Sequence, residues 1–309
     1  PPVWRRRFLT WGMLIAVFGV RLIFPILIVF ATTDLSFIES FSLAINNPAE
    51  YEKIIMASHH IVMAFGGIFL LMIFLSFLFN ENKDVHWIGA VEKYASRWAS
   101  VGDLKILIAI LIVATMGFYG PSELTIDGVM TKIDKADIVL PMIYGILLFL
   151  LIEFLRGILE DDGQKHDSKN METEREKIEN VANSKLAQGG FASFMYLELI
   201  DMSFSFDGVL GAFAVSQNII IIMLGLGAGA FAVRNLTILM VDRGTVSEYK
   251  YLEHGAMWSI GLLATSMLVQ IFVHLHHALI IAFAIIPIAI AFYHSVKENK
   301  LNGENNIDI

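Results

Sequence analysis

Between Glu198 and Asp207 the chain places three carboxylates and two hydroxyls, on Glu198, Asp201, Ser203, Ser205 and Asp207, within an otherwise apolar run from about Gly189 to Ser216. Such a run is long enough to cross a bilayer. Acids inside it are costly unless something binds them, so the pattern points to a site for a cation or for protons within the membrane. Glu198, Asp201 and Ser205 recur at i, i+3 and i+7 and share one helical face, whereas Ser203 and Asp207 share another. Asp201 and Asp207 stand about 120° apart on an unbroken helix of 3.6 residues per turn. They converge on one ion where the helix is distorted or where the ion sits between helices. Gly189, Gly190, Gly208 and Gly211 permit a break. Hard oxygen donors suit Mg²⁺, Ca²⁺ or Mn²⁺ better than Zn²⁺ or Cu²⁺, and Met202 would add a softer donor that tilts the choice towards a transition metal. The plainer alternative is a carboxylate pair held by interhelical hydrogen bonds with no transported ion.

The composition supports a membrane setting. Of 309 residues 56% are hydrophobic, far above a soluble domain. The absence of cysteine removes disulfides, thiolate metal sites and redox motifs. A net charge of −8 with no basic aromatic stripe argues against nucleic-acid binding. No G-x-x-x-x-G-K-[ST] loop occurs, so ATP hydrolysis is not expected, and neither is enzymatic activity.

These residues must be positioned by helices. Eight membrane-length apolar runs are expected, over 9–31, 60–79, 104–119, 138–156, 190–216, 218–241, 254–273 and 276–296. The fold class expected is therefore all-α, a polytopic helical bundle. It divides into a first transmembrane half (1–155), a charged cytoplasmic linker (156–189) and a second half carrying the acidic motif (190–309). If Arg5, Arg6 and Arg7 are cytoplasmic, alternating runs put seventeen loop Lys and Arg residues on that side and three, Lys53, Lys132 and Lys135, on the other. That bias orients the helices by the positive-inside rule. The opposite loops are acidic, with Asp34, Glu39, Glu50, Glu52 and Glu123 among them. Trp87, Trp98 and Trp258 fall near run ends, where an interfacial belt places them.

An internal echo suggests inverted repeats. Phe18-Gly19-Val20-Arg21 matches Phe231-Ala232-Val233-Arg234 at an offset of 213, and the same offset brings Gly12 onto Gly225. His60 and Gly67 are spaced as His254 and Gly261 are. Inverted repeats are a recurrent transporter plan with the ion site at the midplane. The offset would place the partner of the acidic run before residue 1, so a further helix upstream is expected. Arg21 and Arg234 are the two intramembrane arginines, candidates for gating or for compensating charge at the empty acidic site, or for a static ion pair. His254 at the inner mouth of one run and His60 at the outer mouth of another are candidates for proton coupling, with capping as the plainer role.

The motif LELIDMSFSFDGVLGAFAVS, the glycine-rich LGLGAGAFAVR and the stretches RRRFLTWGMLIAVFGVRLIFP and YLEHGAMWSIG resemble the TerC family of integral membrane proteins, in particular a longer branch of it. The hallmark of that family is an acidic E-x-x-D motif with a second aspartate six residues on. The family is related in plan to the LysE-type exporters, and several members are implicated in manganese efflux. The resemblance implies that Asp201 and Asp207 are metal ligands with Glu198 and Ser205 adjacent. Here Gly208 follows the second aspartate where Ser or Asn is usual, which removes one side-chain oxygen.

The expected function is thus a secondary transporter, in a bacterial inner (cytoplasmic) membrane, that exports a divalent cation. Mn²⁺ is the expected substrate, with proton or potential coupling. The partners are the lipid bilayer and the cation; a homo-oligomer or stress-complex partners are compatible with the sequence. The competing expectation is a non-transporting membrane scaffold in a metal or tellurite stress-resistance complex, with the acids structural.

Overall fold

The computed structural model describes residues 23–80, 85–98, 104–121, 123–126, 129–164, 219–242, 249–273 and 275–305. These residues are predominantly helical. The helices are α1 (Phe24–Thr32), α2 (Phe37–Asn46), α3 (Pro48–Ala57), α4 (His59–Leu78), α5 (Gly89–Trp98), α6 (Leu104–Tyr119), α7 (Ala136–Gln164), α8 (Ile219–Asp242), α9 (Leu252–Gln270) and α10 (His277–Asn305). Among the described residues, three segments are helices long and apolar enough to cross a membrane, His59–Leu78, Ala136–Phe154 and Ala278–Asn299. A fourth span is reached if Pro25–Thr32 and Phe37–Asn46, bent by 117°, count as one.

The described helices start within a few residues of the expected runs where both ends are described, but α7 and α10 run on to Gln164 and Asn305, past the expected ends at 156 and 296, α7 entering the expected linker. Three features go beyond that pattern. The acidic segment after α1, expected as a loop, contains the two short helices α2 and α3. Ser36 starts α2 with a capping box: its hydroxyl accepts from the Glu39 backbone N–H, and Glu39 Oε2 accepts from the Ser36 backbone N–H at 2.8 Å. The expectation of helices alone also omitted a small antiparallel hairpin, β1 (Glu123–Ile126) with β2 (Val129–Lys132), in which Glu123 faces Lys132 and Ile126 faces Val129. The intervening Asp127-Gly128 is a hairpin signal in the sequence. Third, the polar segment before α6 contains α5.

The chain divides into two compact units. The first holds α1 to α3 with the later part of α7 and most of α8, and the second holds α4 to α6, the hairpin, the start of α7, α9 and α10. In the first unit α1, α2 and α3 pack on one another, and the Ser58 hydroxyl donates to Thr32 Oγ1 at 3.2 Å.

In the second unit α4 packs on α9, and α9 on α10. Helix α4 is apolar on all sides and largely buried, as a central helix must be. Small residues set the approach. Gly66 and Gly67 lie beneath Met267 and Leu268, and Gly261 lies beneath the Phe74 ring. Gly255 lies beneath Ala291 and the Pro287 carbonyl. Close backbone approach through small residues is how helices associate where lipid removes a hydrophobic drive. Pro287 cannot bond the carbonyl one turn back; beside it, the Ser259 hydroxyl donates to the Ala284 carbonyl at 2.8 Å. These pairings make α4 and α9 antiparallel, so His60 and His254 stand at opposite ends of the pair.

Candidate functional site

A carboxylate, an imidazole, an indole and a backbone N–H meet where the first turn of α5 reaches the α4–α9 pair. Glu92 lies in that first turn, on the same face as Ala95, three residues on, and both are buried. Its side chain is fully removed from solvent. Burying a carboxylate costs several kcal/mol unless hydrogen bonds replace water. Glu92 has three donors. Trp258 Nε1 donates to Oε1 at 2.9 Å, the Trp87 backbone N–H donates to Oε2 at 3.2 Å, and His254 Nδ1 lies 3.1 Å from Oε2 and 3.2 Å from Oε1. Both oxygens are therefore served, and the carboxylate is held as an acceptor.

The His254 proton follows from this arrangement. A carboxylate accepts and an indole only donates. Nδ1 of His254 must therefore carry a hydrogen, and the carboxylate fixes the ring's orientation. Phe77 meets the His254 ring edge to face at 5.2 Å between centroids, and Phe74 meets Trp258 in the same way. Aromatic walls thus surround the pair and keep it from bulk water.

Trp87 joins this cluster to the surface. Its indole Nε1 donates to His294 Nδ1 on α10 at 3.0 Å. Trp87 and His294 line a shallow cleft of about 300 Å³ with Tyr251, Lys297 and Glu298. At its rim Lys250 Nζ donates to Glu298 at 2.7 Å, which pushes the Lys250 pKa up.

Of the residues singled out in the sequence, Glu198, Asp201, Ser203, Ser205, Asp207 and Arg21 lie outside the described residues. Arg234 is on α8, in the other unit from His254. His254 and His60 are both buried. Seventeen residues of helix separate His60 from Phe77, the ring against His254, so the two histidines are about 25 Å apart along α4 at 1.5 Å per residue. They do not share a site. Among the described residues no group of three or more His, Cys, Asp and Glu side chains gathers as a metal site.

Sequence reasoning missed Glu92. The acid next to His254 in the sequence, Glu253, is exposed, whereas its partner comes from a helix 162 residues away. The only local signal is an acid three residues before an alanine on one face of a polar helix. Of the tryptophans expected near the interface, Trp258 also donates inward to Glu92, while the Trp87 indole bonds His294 at the surface.

A family model described as "Protein of unknown function (DUF475)" matches residues 1–302. The chain belongs to the DUF475 family. No curated protein and no solved structure matches it. The match covers both compact units of this DUF475 chain, and it includes Glu92, His254, Trp258 and the acidic motif.

Proposed function

We propose that this DUF475 protein is a multi-pass transporter of the bacterial inner membrane, built on inverted repeats, that exports a divalent cation in exchange for protons, with Mn²⁺ the expected substrate. Asp201 and Asp207 coordinate the cation in this reading. Ser203 and Ser205 supply neutral oxygens, and Glu198 relays protons. Arg234 and Arg21 compete for the site when it is empty. Carboxylates bind a metal deprotonated and release it on protonation, which is the chemical basis of antiport.

The observation that carries the proton half of the proposal is the buried Glu92–His254 pair. It is an imidazole, oriented by a buried carboxylate, at the end of the closely packed α4–α9 helix pair. In the orientation set by the loop charges this end is cytoplasmic. The resemblance to TerC proteins and the intramembrane acids support the cation half.

The test is Mn²⁺ flux into or out of proteoliposomes under an imposed pH gradient. The expected result is flux that collapses when the gradient does and that is abolished in the Asp201→Asn, Asp207→Asn double variant. Flux that persists unchanged in the double variant rejects the reading.

A further inference from the structure

The cleft beside Trp87 lies at the polar end of α10, where that helix leaves the apolar span Ala278–Asn299. Its hydrogen-bonding groups can be balanced one by one. The Glu298 carboxylate is occupied by the Lys250 ammonium at 2.7 Å and by the Tyr251 hydroxyl. His294 Nδ1 is occupied by the Trp87 indole N–H at 3.0 Å. An indole nitrogen never accepts, so Nδ1 is the acceptor and the His294 ring carries its hydrogen on Nε2. Among the described residues the cleft thus keeps two donors, His294 Nε2–H and the Lys297 ammonium, beside the Glu298 carboxylate whose Oε1 is held by Lys250. Among the same residues Lys250 offsets the charge of Glu298, and that of Lys297 remains.

A concave site with surplus donors, one net positive charge and aromatic walls takes an anion with several acceptor oxygens. The helix adds a direction. Ile286, Ile290, Tyr293 and Lys297 recur at i, i+4, i+7 and i+11, and share one face of α10. All four are exposed. An apolar stripe therefore runs along the span and ends at the basic cleft. Loop charges place this end on the cytoplasmic side, where anionic lipids attract basic residues at the membrane surface.

We propose that the cleft lined by Trp87, Tyr251, His294 and Lys297 binds a phosphate group, with the acyl chains of a phospholipid lying along the Ile286–Ile290–Tyr293 stripe. Lys297 supplies the charge and His294 Nε2–H a directed hydrogen bond. Trp87 fixes the tautomer that makes His294 a donor. The proposal does not depend on what the acidic motif binds.

The test is thermal unfolding of the full chain in detergent, with phosphatidylglycerol, diacylglycerol of the same acyl chains, or inorganic phosphate added. Phosphatidylglycerol should raise the melting temperature, as a ligand of the folded state must, and diacylglycerol should not. The shift should fall by half or more in Lys297→Gln and persist in Lys297→Arg, which keeps the charge if the first variant is itself less stable. Lys53→Gln, on α3, controls for general charge. An equal shift from inorganic phosphate, lost in the same variant, keeps the phosphate site and assigns it to free phosphate in place of lipid. A shift as large with diacylglycerol, or one unchanged in Lys297→Gln, overturns the proposal.

Discussion

The carboxylate of Glu92 holds the Nδ1 edge of His254 with both oxygens, 3.1 Å from Oε2 and 3.2 Å from Oε1, across 162 residues of chain. Glu92 is 1% exposed, so no water competes for those contacts. The pair joins α5 to α9, and Trp258 and Trp87 complete the carboxylate's shell. It ties the start of α5 to the start of α9.

Removing the acid leaves buried donors without an acceptor. Glu92→Ala strands the Trp258 indole N–H, the Trp87 backbone N–H and the His254 ring, and breaking a buried pair in this way costs about 3–5 kcal/mol. Glu92→Gln keeps one acceptor oxygen and should lose less. Thermal unfolding in detergent measures the ordering, and an alanine variant as stable as the parent would show that the cluster contributes nothing to the fold.

The packing of α9 on α10 should be intolerant of a single methyl group. A Cβ at Gly255 would lie 2.5 Å from the Ala291 Cβ and 2.9 Å from the Pro287 carbonyl oxygen, neither of which can rotate away. Gly255→Ala should therefore destabilise by about 1–3 kcal/mol, as overpacking does. At Gly225 on α8 no described atom lies within 4 Å of such a Cβ. Gly225→Ala should be neutral or stabilising, since alanine loses less backbone entropy in a helix. Equal melting temperatures for the two variants would mean that the close approach at Gly255 is not real.

Alkaline stability should report the Lys250–Tyr251–Glu298 cluster. The Glu298 carboxylate, by hydrogen bonding, raises the Lys250 pKa and also raises that of Tyr251. Both groups thus favour their protonated forms in the folded state. Their contribution is complete below the ordinary lysine and tyrosine ranges, near pH 10, and is lost as pH climbs through the raised values. The parent should lose melting temperature more steeply than a Lys250→Met, Tyr251→Phe variant between about pH 9 and 11. Parallel curves would assign the alkaline loss elsewhere.

His254→Gln separates proton coupling from cation binding. Glutamine keeps a donor for Glu92 and removes the titrating ring. Mn²⁺ should still bind, read as metal-dependent thermal stabilisation, while flux loses its dependence on the pH gradient. Coupled flux that survives unchanged would remove His254 from the proton path and leave Glu92 as its structural partner only.

The sequence by itself determined where the described long helices lie. The runs expected over 60–79, 104–119, 218–241 and 254–273 became α4, α6, α8 and α9 to within a few residues, because an apolar stretch bounded by polar residues carries its own length and its own ends. Eight membrane-length runs were expected, and among the described residues three helices are long and apolar enough to span a bilayer, or four with the bent pair. The Asp127-Gly128 hairpin and the Ser36–Glu39 capping box were also written locally, in turn and cap residues rather than in hydrophobic runs. Only the tertiary structure decided that Glu92, and not its sequence neighbour Glu253, is the partner of His254. It also decided that the Trp258 indole points inward to Glu92, and that His60 and His254 stand at opposite ends of one helix pair. Those outcomes depend on which glycines let α4, α9 and α10 approach and on the helical phase at which α5 meets them. Such distances and phases arise between segments far apart in the chain, and no local pattern of residues carries them.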